Sequence, residues 1–197
     1  MGGTNAKIEE FPYYVSIRSS GGSPYCGGTI LDKTHILTAA HCKVPSGDTV
    51  NYGSDIRGGN ENVVTVSSSF KHADVKATNV WFMDYLIVTL SEPISLGAKA
   101  KIVELGSKSE YDSYVVTNKA ECVVVGMGRS GEGGARSYEQ TLQKSAQKHN
   151  SGMSSAYCGS FYGSLDPRVS QCFLTMGESK GASGCNGDSG GPYFCKM

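Results

Sequence analysis

Apolar residues in this chain come in short runs separated by stretches rich in Gly, Asn and Ser, the pattern of strands joined by turns. Residues 13–17 alternate as a strand does, 24–31 read as a turn entering a second strand, and 36–40 form a brief apolar run that ends at His41. Residues 63–66 and 85–90 are further strand candidates. No segment before residue 105 carries the 3.6-residue period of a helix. Between residues 93 and 113 the composition turns to Gly, Lys, Ser and Glu, broken by a short strand expected at 102–105. A domain crossing is therefore expected near residue 107, dividing the chain into 1–107 and 108–197. Beyond it, 121–128 reads as a strand ending in a glycine turn, and the Gly/Ser-rich 129–136 as a mobile surface loop. Residues 146–157 are a candidate short helix, and strands at 161–162 and 169–176 would flank a turn at 165–168. The pattern as a whole predicts an all-β protein.

Composition narrows the function classes. The 197 residues are 39% hydrophobic, enough for a substantial core, and the formal net charge is +0 with no run of Lys or Arg. Nucleic acid and anionic membrane are thereby excluded as main partners, since both need a concentrated positive face. No stretch approaches the roughly 18 consecutive apolar residues of a membrane span. Seven cysteines are scattered along the chain without a C-x-x-C pair, as in a disulfide framework, so an oxidising, secreted setting is expected. Gly2 and Gly3 follow Met1 directly with no signal peptide, and the expectation is that this signal belongs to sequence upstream.

The candidate chemistry starts at Gly184-Cys185-Asn186-Gly187-Asp188-Ser189-Gly190-Gly191-Pro192, which places one hydroxyl in a glycine-dense turn. A neutral serine is a weak nucleophile unless a base sits beside it. Thr38-Ala39-Ala40-His41-Cys42 offers the base, and Asp84, just before an apolar run, can orient the imidazole. His, Asp, Ser is one of the three chain orders in which such a triad occurs. His35, His72 and His149 have no comparable flanks and read as surface residues. Asp48, Asp55 and Glu61 lie in loops that could approach a calcium loop, but their irregular spacing gives a calcium site little support, and no metal or other cofactor is expected.

GCNGDSGGP, TAAHC and MDYLIVTL together resemble the three active-site blocks of chymotrypsin/trypsin-like serine proteases, a likeness running from Gly2 to Cys195. The resemblance implies two Greek-key antiparallel β-barrels with the triad in the cleft between them, and peptide-bond hydrolysis by His41, Asp84 and Ser189. It implies an oxyanion hole from the N–H groups of Gly187 and Ser189, and a role for Asp188 as counter-charge to a free N-terminal ammonium. In the family two apolar residues precede the glycine pair; here Met1 fills the second place, so that ion pair is not expected in the family's form. Met127 stands where the family's C-x-x-x-G-W-G block usually has Trp.

The resemblance also implies the bridges Cys26–Cys42, Cys158–Cys172 and Cys122–Cys195, with Cys185 left over. The family's partner for Cys185 lies downstream, whereas this chain stops at Met197. A second barrel incomplete at its C-terminal end is thus expected, and with it an inactive or unstable polypeptide. Ser183 and Gly184 fall at the base of the family's specificity pocket, where trypsin-like enzymes place Asp. A chymotrypsin- or elastase-like preference for apolar side chains is expected instead. The implied partners are protein or peptide substrates and protease inhibitors, and the implied state is a secreted monomer made as a zymogen. The competing reading is a catalytically inactive secreted homologue that acts as a binding or regulatory protein. Retention of all three triad residues favours the enzyme.

Overall fold

The computed structural model describes residues 3–73, 84–117, 121–130, 137–149, 175–177 and 184–195. Strand β1 (Thr4–Asn5) and a single 3-10 turn (Ile8–Glu10) precede six strands: β2 (Tyr14–Arg18), β3 (Pro24–Ile30), β4 (His35–Thr38), β5 (Thr49–Tyr52), β6 (Val63–Lys71) and β7 (Leu86–Leu90). These six close into an antiparallel barrel in the order β2-β3-β4-β7-β6-β5, which leaves no unpaired edge. Alternation builds its core. On β7, Leu86, Val88 and Leu90 are buried while Ile87 and Thr89 are only partly covered, and the inward residues meet Val15, Ile17, Ile30, Ile36, Val50 and Val66.

Strand β2 breaks the alternation because it is covered on both faces. Val15 and Ile17 enter the barrel core, whereas Tyr14 joins a second core and Arg18 bonds to Asn60 and Arg57.

The second sheet contains β8 (Cys122–Gly126), β11 (Gln143–His149), β12 (Thr175–Gly177) and β13 (Tyr193–Cys195), in the order β1-β11-β8-β13 with β12 also on β11. A separate two-stranded pair joins β9 (Arg129–Ser130) to β10 (Ser137–Tyr138). The second core gathers Val125, Met127 and Leu142 with Ala6, Ile8, Phe11, Tyr13 and Tyr14, so residues 4–14 pack on the second sheet. Tyr13 stacks on Phe194 with ring centroids 5.0 Å apart. Among the described residues no helix is long and apolar enough to cross a membrane.

The structure departs from the sequence pattern in several places. Residues 143–149 form β11, not the start of a helix, because each of Gln143 to Gln147 pairs across to β8; residues 150–157 lie outside the described set. Residues 102–105 form no strand: Val103 donates one bond to the Ile30 carbonyl at 3.0 Å, while Ile102 and Leu105 remain exposed. A helical segment follows, α1 (Lys108–Glu110) running into a π-helical stretch (Tyr111–Thr117). At its start the Ser107 hydroxyl accepts the Glu110 N–H and Glu110 accepts the Ser107 N–H, a capping box. Arg129 and Ser130, expected in a loop, are paired with β10. The expected strand at 161–162, the turn at 165–168 and the first part of the strand at 169–176 lie outside the described residues.

Candidate active site

Strand register brings His41 to Asp84. In the antiparallel pair β4–β7, Thr38 lies opposite Leu86. Continuing β4 forward by three residues and β7 backward by two carries the chain to His41 and Asp84 at the same end of the barrel. After Ala39 the chain tightens into a 3-10 turn (Ala40–Cys42), with the Cys42 N–H on the Ala39 carbonyl at 3.1 Å. The Cys26–Cys42 disulfide ties this turn to β3. Asp84 then holds His41 at two points: Oδ1 accepts the His41 main-chain N–H at 2.8 Å and Oδ2 lies 2.6 Å from Nδ1. That contact raises the His41 pKa above the usual histidine value, against the opposing effect of partial burial.

Ser189 approaches the same wall through its main chain. Its carbonyl accepts the Gly27 N–H at 2.8 Å and lies 3.8 Å from the sulfur of Cys42, the residue after His41. The next residue fixes the fit. Gly190 has φ +75°, and a Cβ there would stand 2.1 Å from Thr38 Oγ1 and 2.8 Å from both the Ala39 nitrogen and the Gly27 carbonyl. Only glycine lets these two backbones approach so closely. Thr38 Oγ1 itself donates to the Gly27 carbonyl at 2.8 Å. A direct bond from the Ser189 hydroxyl to the imidazole is not among the contacts of the described residues; catalytic hydrogen bonds of this kind commonly tighten in the complex with substrate.

The turn before Ser189 hangs from the second sheet. Tyr193 on β13 pairs with Val124 on β8, and Cys122 and Cys195 are both paired and disulfide-bonded. Extending this pair past its ends sets Gly128 beside Asp188. Asp188 Oδ1 accepts the Gly128 N–H at 2.7 Å and Oδ2 the Cys185 N–H at 2.9 Å. Gly126 and Gly128 make the room, since a Cβ on either would collide with that carboxylate. Burial pushes the Asp188 carboxyl above its usual range, and the two N–H donors and the Arg57 charge oppose that rise. Within the described residues neither the Gly187 nor the Ser189 N–H is taken up by the turn's own hydrogen bonds, which run from Asp188 to Cys185 and from Gly191 to Asp188.

A family model described as Trypsin matches residues 1–197. The chain belongs to the trypsin family. Pig trypsin is 29% identical over 202 residues, covering 99% of this chain and 79% of the relative. Human chymotrypsin-like elastase family member 1 is 30% identical, covering 99% and 75%. The trypsin of Saccharopolyspora erythraea is 30% identical, covering 98% and 80%. Among solved structures, neuropsin, a serine protease expressed in the limbic system of mouse brain, superposes with a TM-score of 0.78 at 25% identity, over 98% of this chain and 82% of that one. The fold is accordingly the all-β trypsin fold, and the chain is a serine endopeptidase, a hydrolase.

The other expected site residues of this trypsin-family chain fall as follows. Gly184 is described and exposed, while Ser183, Cys158 and Cys172 lie outside the described residues. Cys185 is a free, partly covered thiol. Asp48, considered for a calcium loop, has both carboxylate oxygens engaged by the protein. It is buried, with one oxygen accepting the Ser20 N–H at 3.0 Å and the other the Tyr25 hydroxyl at 2.6 Å. Asp55 pairs with Lys7 at 3.2 Å, and no metal-binding cluster occurs among the described residues. His35 bonds to Asp32, whose carboxyl is lowered to about 2, first by the Thr34 main chain and then by side-chain bonds to His35 and Thr34.

Sequence reasoning missed Gly27 and Thr38 as the seat of the nucleophile turn. The signal available was that two glycine-bearing segments, 27–28 and 190–191, had to meet something closely. Tyr138, which borders the same turn, and Arg57, which lies on the Tyr138 ring, carried no signal at all.

Proposed function

We propose that this serine endopeptidase works through His41, Asp84 and Ser189, with the N–H groups of Gly187 and Ser189 as the oxyanion hole. The observation that carries the reading is the two-point hold of Asp84 on His41, at 2.8 and 2.6 Å, beside the wall on which the Ser189 main chain is seated. The Ser189 oxygen attacks the scissile carbonyl while its proton passes to His41 Nε2. Asp84 keeps the imidazole turned with Nδ1–H inward and stabilises the cation that forms. The tetrahedral oxyanion is received by the two N–H groups, and His41 returns the proton to the leaving amine. Water then repeats the sequence to release the acid.

Substrates are proteins or peptides, and inhibitors that present a peptide bond to the same cleft are further partners. Ser183 and Gly184, the positions that the family resemblance assigns to the pocket base, bring no carboxylate for a Lys or Arg side chain, which supports a chymotrypsin- or elastase-like preference. The disulfides Cys26–Cys42 and Cys122–Cys195 support an oxidising, extracellular setting, with a monomer as the working state.

The test is hydrolysis of peptide p-nitrophenyl esters differing in the side chain before the scissile bond, together with labelling by a fluorophosphonate. Against the inactivity expected from the sequence, the seating of the Ser189 main chain on the first barrel supports hydrolysis and labelling with apolar side chains, both lost in Ser189→Ala. Equal labelling of the chain and Ser189→Ala, or no labelling of a correctly folded chain, refutes the triad and favours a non-catalytic binding protein. Preference for Lys or Arg esters refutes only the specificity.

A further inference from the structure

Away from His41, Asp84 and Ser189, the described residues include two buried arginines. Arg18 is 2% exposed and Arg57 8%. No carboxylate forms an ion pair with either among the described residues. Burying a cation without a paired anion is unfavourable unless hydrogen-bond acceptors take up its donors.

The donors of Arg57 are used across the boundary between the two sheets. Nη1 donates to the Met127 carbonyl, just beyond β8, and Nη2 donates to the Pro24 carbonyl at the start of β3 at 2.7 Å. The planar group lies over the Tyr138 ring on β10, 3.9 Å from its centroid. The main chain of Arg57 is fixed as well. Its N–H bonds the Gln140 carbonyl at 2.9 Å, its carbonyl accepts from Arg18 Nη2 at 2.8 Å, and Ile56 bridges Thr141.

Two of the three groups that the guanidinium holds border the turn carrying Ser189. Met127 precedes Gly128, whose N–H donates to Asp188. The Tyr138 ring lies against Gly187 so closely that a Cβ there would be 3.0 Å from Cε1. Arg129, two residues past Met127, donates its N–H to the Asn186 carbonyl at 2.9 Å.

We propose that Arg57 is a positioning residue for the oxyanion site: its fork ties Met127 and Tyr138 to the first barrel, and these two set the place of the Gly187–Ser189 turn. The inference rests on the reading of Gly187 and Ser189 as oxyanion donors. The charge of Arg57 also acts on the partly buried Asp188 carboxylate and opposes the burial penalty on it. A lysine would keep the charge but has neither the fork for two carbonyls nor a plane to lie on Tyr138.

Arg57→Met and Arg57→Lys in the full chain test this with two readouts. The first is hydrogen exchange of the Gly128 amide against the barrel amides of Val50 and Val88, which needs no catalysis. The second is kcat and KM on a peptide ester. Both variants are expected to speed Gly128 exchange by at least about tenfold while Val50 and Val88 are unmoved, and to lower kcat roughly 10- to 100-fold with KM within about twofold. Unchanged Gly128 exchange, or unchanged kcat in either variant, overturns the proposal. Should the wild-type chain show no Ser189-dependent hydrolysis, the triad reading fails separately, and the exchange readout alone decides whether Arg57 holds the turn. Should Arg57→Met fail to fold, Arg57→Lys carries the same comparison.

Discussion

Gly190→Ala tests whether the nucleophile turn is seated on the first barrel as described. Two costs can be read from the structure. At φ +75° an L side chain meets its own carbonyl, a strain of about 1–2 kcal/mol. The added methyl would also stand 2.1 Å from Thr38 Oγ1 and 2.8 Å from two backbone atoms, the Ala39 nitrogen and the Gly27 carbonyl. Thr38 can rotate away only by giving up its bond to Gly27, worth about 1 kcal/mol, and the backbone atoms cannot rotate. Overpacking of this kind costs typically about 1–3 kcal/mol. The expected destabilisation is therefore roughly 3–6 kcal/mol. Gly47→Ala is the control, because Gly47 has φ +91° with nothing within 4 Å of the new Cβ. It incurs the strain alone, about 1–2 kcal/mol. Urea unfolding followed by far-UV circular dichroism gives both values from the midpoints at common slope. A Gly190→Ala variant within about 0.5 kcal/mol of Gly47→Ala, beyond the usual scatter of surface changes, would mean that residues 189–191 do not rest on Thr38 and Ala39.

Asp84→Asn removes the main cause of the raised His41 pKa, so neutral imidazole persists to lower pH and the acid limb of kcat/KM shifts downward. The rate itself is expected to fall about 10^4-fold, the magnitude known for the same change in a related triad. Stability follows the same group. A raised histidine pKa stabilises the fold below the unfolded value of about 6.5, and that contribution is lost as pH rises through the folded value. The gap in unfolding midpoint between wild type and Asp84→Asn should therefore be larger at acid pH than at alkaline pH; an inverted trend refutes the assignment. Opening the two bridges separates stability from catalysis. By chain entropy, loss of Cys122–Cys195, with a separation of 73, costs about 4 kcal/mol and loss of Cys26–Cys42, with a separation of 16, about 3. Yet Cys26→Ala/Cys42→Ala should lower kcat more for its loss of stability, because that bridge holds the turn of His41. Equal kcat per unit of lost stability would count against it.

The parts of this molecule legible in sequence are those where local pattern and tertiary role agree. Alternation on residues 13–17 marked β2, although that strand is covered on both faces, the apolar run from residue 85 marked β7, and the flanks of His41, Asp84 and Ser189 marked the site. Strand β11 was illegible because Gln143-Lys144-Ser145-Ala146-Gln147 has no apolar alternation; its pairing with β8 and β12 makes it a strand, and Gln147 is wholly buried there. The helical segment after Ser107 was legible and overlooked, since Ser107-x-x-Glu110 is itself a capping signal. Asp48 looked like a loop acid because its partners Ser20 and Tyr25 lie more than twenty residues away. Arg57, between Ile56 and two glycines, reads as solvated and is buried among distant partners, Pro24, Met127, Tyr138 and Gln140.

The two halves of the proposed site share one construction. In each sheet the chemistry lies just past the ends of an antiparallel pair: Thr38↔Leu86 continues to His41 and Asp84, and Tyr193↔Val124 continues to Asp188 and Gly128. An antiparallel pair fixes the relative place of residues beyond its ends by register alone, and a slip of one residue moves them by about 3.3 Å and turns every side chain over. That displacement is as large as a hydrogen bond is long, so each half is either in register or lost. What register cannot do is set one sheet against the other. That task is shared by the second core that Tyr14 enters, by close backbone contact at Gly27, Gly190 and Gly191, and, among the described residues, by Arg57, whose hydrogen bonds reach both β3 and the end of β8. The glycines limit how near the halves come, while the guanidinium limits how far they part.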